Sequence, residues 1–181
     1  MILAAKARRF ITILIPIIVF CGSFYLFYKR AQEGLRRRDL ILTSAVVNRP
    51  LPKAHLVNLY GESLNDERLR HGKVMLVFMM PDCPPCDLEN EFLKTVINSR
   101  QDIEFFYIIP FGGKDQMLRL AQNKYALEPF YDVGSNLSRD LEIYQVPIKI
   151  FVENGIIKKV WLNATIDQRK QTEFKDWLRS V

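Results

Sequence analysis

The sequence predicts an α/β domain with a central mixed sheet and helices on both faces, behind one N-terminal transmembrane helix. Three observations carry this reading. Apolar runs of strand length at residues 74–80, 103–109 and 148–152 alternate with segments of helical periodicity. Asn154-Gly155 separates two apolar strands, a strong hairpin signal. Residues 10–28 hold no charged side chain, and at ~1.5 Å per residue they can cross a hydrocarbon core of about 30 Å.

In chain order, the apolar run is expected to be a permanent anchor, with Pro16 as a tolerated kink. A cleaved signal peptide competes with that reading. The run exceeds the ~7–15 apolar residues of such signals, and bulky Phe24-Tyr25-Leu26-Phe27-Tyr28 follows where a small-x-small site would be needed. Lipidation of Cys21 is a third possibility, but Phe20 stands where a small residue is wanted. The net charge of +6 over 181 residues belongs to this region. Residues 1–39 hold eight Lys and Arg against two acids, so the remainder is neutral. Cations flanking an apolar helix meet phospholipid head groups, so the basic balance does not point to nucleic acid. The expected units are an anchor at 1–30, a basic juxtamembrane linker at 31–49 and one domain at 50–181.

Arg49-Pro50-Leu51-Pro52 is expected to be an extended spacer, because proline restricts itself and its predecessor. Residues 57–62 read as a short strand ending in a turn, and His71-Gly72-Lys73 as a turn opening the strand at 74–80. That unbroken apolar run suits a buried parallel strand. Residues 84–99 read as a helix with Leu88, Phe92, Leu93, Val96 and Ile97 on one face. Residues 103–109 form a second buried strand, closed by Pro110 and Gly112-Gly113. A helix at 115–125, a short extended piece at 129–132 and a short helix at 136–144 follow. Strands 148–152 and 156–162 flank the Asn-Gly turn, and an amphipathic helix at 167–179 turns Phe174, Trp177 and Leu178 inward. About 140 residues suffice for one core.

Chemistry concentrates in Cys83-Pro84-Pro85-Cys86, directly after the first buried strand. Two thiols at this spacing can close a small disulfide and reopen it. A sulfur at a helix N-terminus meets unpaired N–H groups and the positive end of the dipole, which favour the reactive thiolate. The competing readings are half a zinc site or two inert core cysteines. Zinc wants about four ligands, and Cys21, His55 and His71 lie at no ligand spacing from the pair. Met75, Met79 and Met80 read as core filler, and Trp161 and Trp177 as packing residues.

From residue 50 to 180 the chain resembles the membrane-anchored thioredoxin-like proteins of the TlpA/ResA type, within the redoxin group. The markers are Leu59-Tyr60-Gly61-Glu62-Ser63-Leu64, Gly72-Lys73, the Cys-Pro-Pro-Cys motif, Val146-Pro147 and Glu153-Asn154-Gly155-Ile156-Ile157. Residues 80–86 also resemble the MauD-like branch, whose members help mature disulfide-rich periplasmic enzymes. The resemblance implies a thioredoxin-like fold with Cys83 as the nucleophile and Cys86 as the resolving thiol. It implies a cis Pro147, with the backbone of Val146 free to pair with an extended substrate; a trans, strand-initiating proline is the alternative. Pro84 and Pro85 would line the substrate face. Glu89 matches an acid that tunes proton transfer near the thiols; the alternative is a solvated first-turn acid. Departures are Asp82 where relatives often have Trp, Val77 where thioredoxins proper keep a buried acid, and Glu91 where many relatives have proline. A carboxylate as close as Asp82 should raise the thiol pKa.

The function implied is a membrane-tethered thiol–disulfide oxidoreductase, reducing protein disulfides outside the cytoplasm in cytochrome or metalloenzyme maturation. Its redox group is the Cys83–Cys86 disulfide, without a further cofactor or metal. Its partners are a disulfide-bearing client, a membrane electron-donor protein and the bilayer through residues 10–28. Orientation is contested. Three Lys and Arg precede the apolar run and five follow it, which by the positive-inside rule puts the domain in the cytoplasm. A dithiol domain suits the oxidising, periplasmic side. Two other functions compete: a copper metallochaperone using the same cysteines, and a thiol peroxidase. The latter group carries Thr or Ser three residues before the reactive cysteine, and Met80 stands there instead.

Overall fold

The computed structural model describes residues 20–34, 44–122 and 125–181, and the chain divides into two units, Met1–Leu42 and Thr43–Val181. In the first unit, residues 20–34 are helical (α1), with Phe20, Phe24, Leu26 and Phe27 exposed. No helix among the described residues is long and apolar enough to cross a membrane. Residues 1–19 of the expected anchor and 35–43 of the expected linker lie outside the described residues.

The second unit is built on alternation. In β2 (Lys73–Phe78), Val74, Leu76 and Phe78 join one buried cluster, whereas Met75 and Val77 join another on the opposite face. The remaining strands are β1 (Leu56–Val57), β3 (Ile103–Ile109), β4 (Pro129–Asp132), β5 (Ile148–Glu153) and β6 (Ile156–Leu162). They stand in the order β1-β4-β3-β2-β5-β6, with β3 parallel to both neighbours and the other pairings antiparallel. The helices are α2 (Asp66–Arg70), α3 (Pro84–Ile97), α4 (Lys114–Gln122), α5 (Asn136–Asp140) and α6 (Gln168–Ser180). Side chains from α3 and α6 cover the Met75 face, and those from α2 and α5 the Val74 face. Met117 and Leu120 of α4 are fully buried against Ile109. The central mixed sheet with helices on both faces is as the sequence predicts.

The β5–β6 hairpin turns where both central residues have positive φ, Asn154 at 49° and Gly155 at 76°. That is the type I′ geometry that Asn-Gly tolerates with least strain. Three expectations need correction. The strand expected at 57–62 ends at Val57, because the Asn58 side chain accepts the backbone N–H groups of Tyr60 and Glu62 and turns the chain. The expected spacer is docked rather than free. Asn48 and Leu51 donate to the carbonyls of Ile157 and Gly155, Ile157 donates back to Arg49, and Val46 and Leu51 are buried. Residues 46–51 thereby cover the open edge of β6, which a sheet edge otherwise leaves unpaired. Leu88 is 53% exposed, and Glu89 and Asn90 take its place inside. The buried Cys86 sets the phase of α3, and residues three, four and seven further on share its face whatever their polarity.

Edge-to-face contacts join Phe92, Phe174 and Trp161, and Phe151 meets Trp177 at 4.9 Å, sealing α6 onto the sheet. Phe174 is 1% exposed at the centre of this group. Phe174→Ala is expected to cost about 3–5 kcal/mol in chemical denaturation; a loss under about 1 kcal/mol would contradict this packing.

Candidate active site

The site begins where β2 runs out. The Met79 N–H extends the ladder to the Ile108 carbonyl, and Asp82, at a φ of 56°, reverses the chain into α3. Cys83 is the N-cap residue, with Pro84 and Pro85 in the first turn. Proline is pre-organised there and lacks an N–H that would have gone unpaired. The N–H groups of Cys86 and Asp87 donate to the Cys83 carbonyl at 2.8 and 3.1 Å. Cys83 and Cys86 are disulfide-bonded with their Cα atoms 5.2 Å apart. Cys83 is half-buried and Cys86 fully buried, so the first cysteine is the more accessible of the two. Pro84 and Pro85 are exposed.

The Val146–Pro147 peptide is cis. Pro147 is buried, and Val146 is half-buried against the same cluster of side chains as Cys83. The loop before β5 and the start of α3 therefore rest on one common base.

Beneath the disulfide lies a group of residues that sequence patterning did not assemble. Glu89 is fully buried, which excludes the reading of it as a solvated acid. Its carboxylate lies 2.8 Å from Lys149 Nζ, also fully buried. Thr165 donates both its backbone N–H and its Oγ1 hydroxyl to Glu89, the latter at 3.0 Å. Lys149 also donates to the Asn163 carbonyl at 3.3 Å and stands 5.6 Å from the Phe174 ring centre. Burial pushes the Lys149 ammonium below its ordinary pKa, and the Glu89 carboxylate pulls it back up. Burial, and then the Glu89 charge, holds the Tyr107 phenol above its usual range.

Lys149 escaped the sequence reading, although it had a signal. It interrupts the apolar run 148–152, and period-2 alternation puts it on the Phe151 face, opposite Ile148 and Ile150. A cation there needs a buried partner. Val77 of β2 is fully buried, and the buried acid on this side of the sheet is Glu89 of α3. Asp82 is not a bare carboxylate beside the thiol, because Arg119 of α4 donates to it at 2.8 Å. Among the described residues no three His, Cys, Asp or Glu side chains cluster in a way that could hold a metal ion.

The sequence matches no protein-family model and no curated protein. Solved structures do share the fold. The thioredoxin domain of a thiol-disulfide oxidoreductase from Bacteroides vulgatus is 14% identical with a TM-score of 0.60, over 73% of this chain and 97% of that one. A secreted Mycobacterium tuberculosis disulfide oxidoreductase homologous to E. coli DsbE is 18% identical with a TM-score of 0.58, over 70% and 95%. StoA from Bacillus subtilis is 17% identical with a TM-score of 0.55, over 72% and 99%. The fold of residues 43–181 is thioredoxin-like.

Removing one partner of a buried ion pair leaves an uncompensated charge. Lys149→Met is therefore expected to lower stability by about 3–5 kcal/mol, and Glu89→Gln with Lys149→Met to recover most of that loss. Denaturant unfolding of the two variants checks it; equal losses in both would refute the coupling.

Proposed function

We propose that the protein is an enzyme, a membrane-tethered thiol–disulfide oxidoreductase that reduces disulfides of client proteins outside the cytoplasm. The observation that carries this reading is the asymmetry of the cysteine pair: a half-buried Cys83 at the N-terminus of α3, bonded to a fully buried Cys86. The cis peptide before Pro147 and the shared thioredoxin-like fold support it.

In the reduced protein the Cys83 thiolate attacks one sulfur of the client disulfide. A Cys83–client disulfide forms and the client's other sulfur leaves as thiolate. Cys86 then gives up its proton and attacks the Cys83 sulfur, releasing the second client thiolate and closing Cys83–Cys86. Two electrons pass from protein to client. Glu89, one turn beyond Cys86 on the same face of α3, would take the Cys86 proton. Lys149 and Thr165 hold its carboxylate in place. The exposed Pro84 and Pro85 and the backbone of Val146 would border the bound client segment.

Residues 10–28 would tether the domain to the cell membrane, with the domain on the periplasmic side. There a membrane electron-donor protein would return the dithiol to its reduced form. Apocytochromes carrying oxidised haem-binding cysteines, or metalloenzyme precursors, are clients of suitable chemistry.

Cys86→Ser removes the resolving thiol and is expected to accumulate client proteins covalently bound to Cys83 after acid quench; an absence of such adducts would count against the reading. Redox equilibration of the full chain with glutathione buffers tests direction. A potential more negative than about −220 mV is expected of a reductant, and a value above about −150 mV would make the protein a disulfide donor.

A further inference from the structure

The Cys-Pro-Pro-Cys turn is bracketed by two acids, Asp82 immediately before Cys83 and Asp87 immediately after Cys86. Unscreened carboxylates at both ends would oppose ionisation of a thiol between them. Both are held from the same side of the molecule. Arg119 on α4 donates to Asp82 Oδ2 at 2.8 Å, and Tyr125, in the loop after α4, donates its hydroxyl to Asp87 Oδ1 at 2.7 Å. The base of these two arms is fixed. Met117 and Leu120 of α4 are fully buried, and the Ala126 N–H and the Tyr107 hydroxyl both donate to the buried Asn90 of α3 at 3.1 Å. The Tyr125 ring stands edge-on to Tyr107 with centroids 5.9 Å apart.

We propose that Arg119 and Tyr125 are positioning residues of the redox site: they hold and screen the carboxylates of Asp82 and Asp87, and so set how readily Cys83 ionises and attacks. This rests on the redox reading of the cysteine pair given above. An ion pair as exposed as Arg119–Asp82, 56% and 71%, adds little to stability. Its place, one residue from the reacting sulfur, is what matters.

The other charged and titratable groups around the first turns of α3 do not substitute for it. Glu89 is paired with Lys149 of β5, and Glu91 with Lys94 on α3 itself. Lys170 of α6 acts on Lys149. Tyr107 of β3 donates to Asn90, and burial keeps its phenol protonated. Burial, then the Asp87 contact, likewise pushes the Tyr125 phenol up, so it remains a donor through the physiological range. Among the described residues this leaves Arg119 as the cation paired with an acid adjoining the cysteine turn. The spacing from Cys83 to Arg119 is 36 residues, so sequence alone joins them by nothing.

The test uses the full chain in detergent, with Cys21→Ser to remove the third thiol, and follows alkylation of reduced Cys83 by iodoacetamide against pH. An unpaired unit charge ~7 Å from a surface sulfur shifts its pKa by about 0.5–1.5 units. Arg119→Ala is expected to raise the Cys83 midpoint by that amount, and Tyr125→Phe to raise it by less. In an Asp82→Asn background, Arg119→Ala should have no further effect, a coupling that a merely structural role would not produce. Superimposable profiles for Arg119→Ala and its parent would overturn the proposal, as would a lowered melting temperature with no change in midpoint. Exchange of the parent protein with oxidised glutathione, run alongside, separates the two levels. Normal exchange with unmoved profiles removes only the role of Arg119 and Tyr125. No exchange at all removes the redox reading, and this inference with it.

Discussion

The packing beside the cysteine turn is organised by the ion pair between Glu89 and Lys149. Two opposite charges sit with no solvent exposure, 2.8 Å apart, on the side of the sheet packed with Met75, Val77, Phe151 and Phe174. Desolvating either charge alone would be strongly unfavourable, so each constrains where the other's backbone can be. The pair locks the first turns of α3 to β5, and the hydrogen bonds from Thr165 add the loop that follows β6. Three segments far apart in sequence are thereby held together. The pair adds a directional contact to the packing of the face of α3 that Cys86 and Leu93 bury.

The cysteine pair thus lies between two electrostatic layers of different character. Below it, a dry ion pair supplies a carboxylate that is held in place and a cation that keeps its charge balanced. Above it, in solvent, Asp82 and Asp87 are met by Arg119 and Tyr125. The inner layer is costly to disturb, because either charge alone would be left buried without a partner. The outer layer, with Arg119 and Asp82 largely exposed, is worth little to folding. Identities of 14–18% at TM-scores of 0.55–0.60 show how far sequences diverge on one fold.

The elements legible in the sequence were those dictated by local chemistry. The apolar runs of β2 and β3, the Asn-Gly hairpin and the Cys-Pro-Pro-Cys helix start each carry their cause within a few residues. The mixed sheet followed from their order, because strand–helix–strand alternation builds parallel pairs and a tight hairpin builds an antiparallel one. The family resemblance added a cis Pro147, a geometry the chain adopts. Leu88 shows where local pattern misleads. As an apolar residue in a helix it reads as inward, yet the buried Cys86 sets a phase that turns it to solvent.

By itself the sequence determined the fold class, the position of the dithiol and the end of the helix that carries it, since each is encoded at short range. Tertiary structure alone decided what surrounds that dithiol. Glu89 meets Lys149 across 60 residues, Asp82 meets Arg119 across 37, and residues 46–51 reach the hairpin edge across about 100. A charge in a sequence does not announce its partner. Electrostatic partners are chosen by proximity in space and by the cost of leaving a charge unmatched, and both exist only once the sheet has formed.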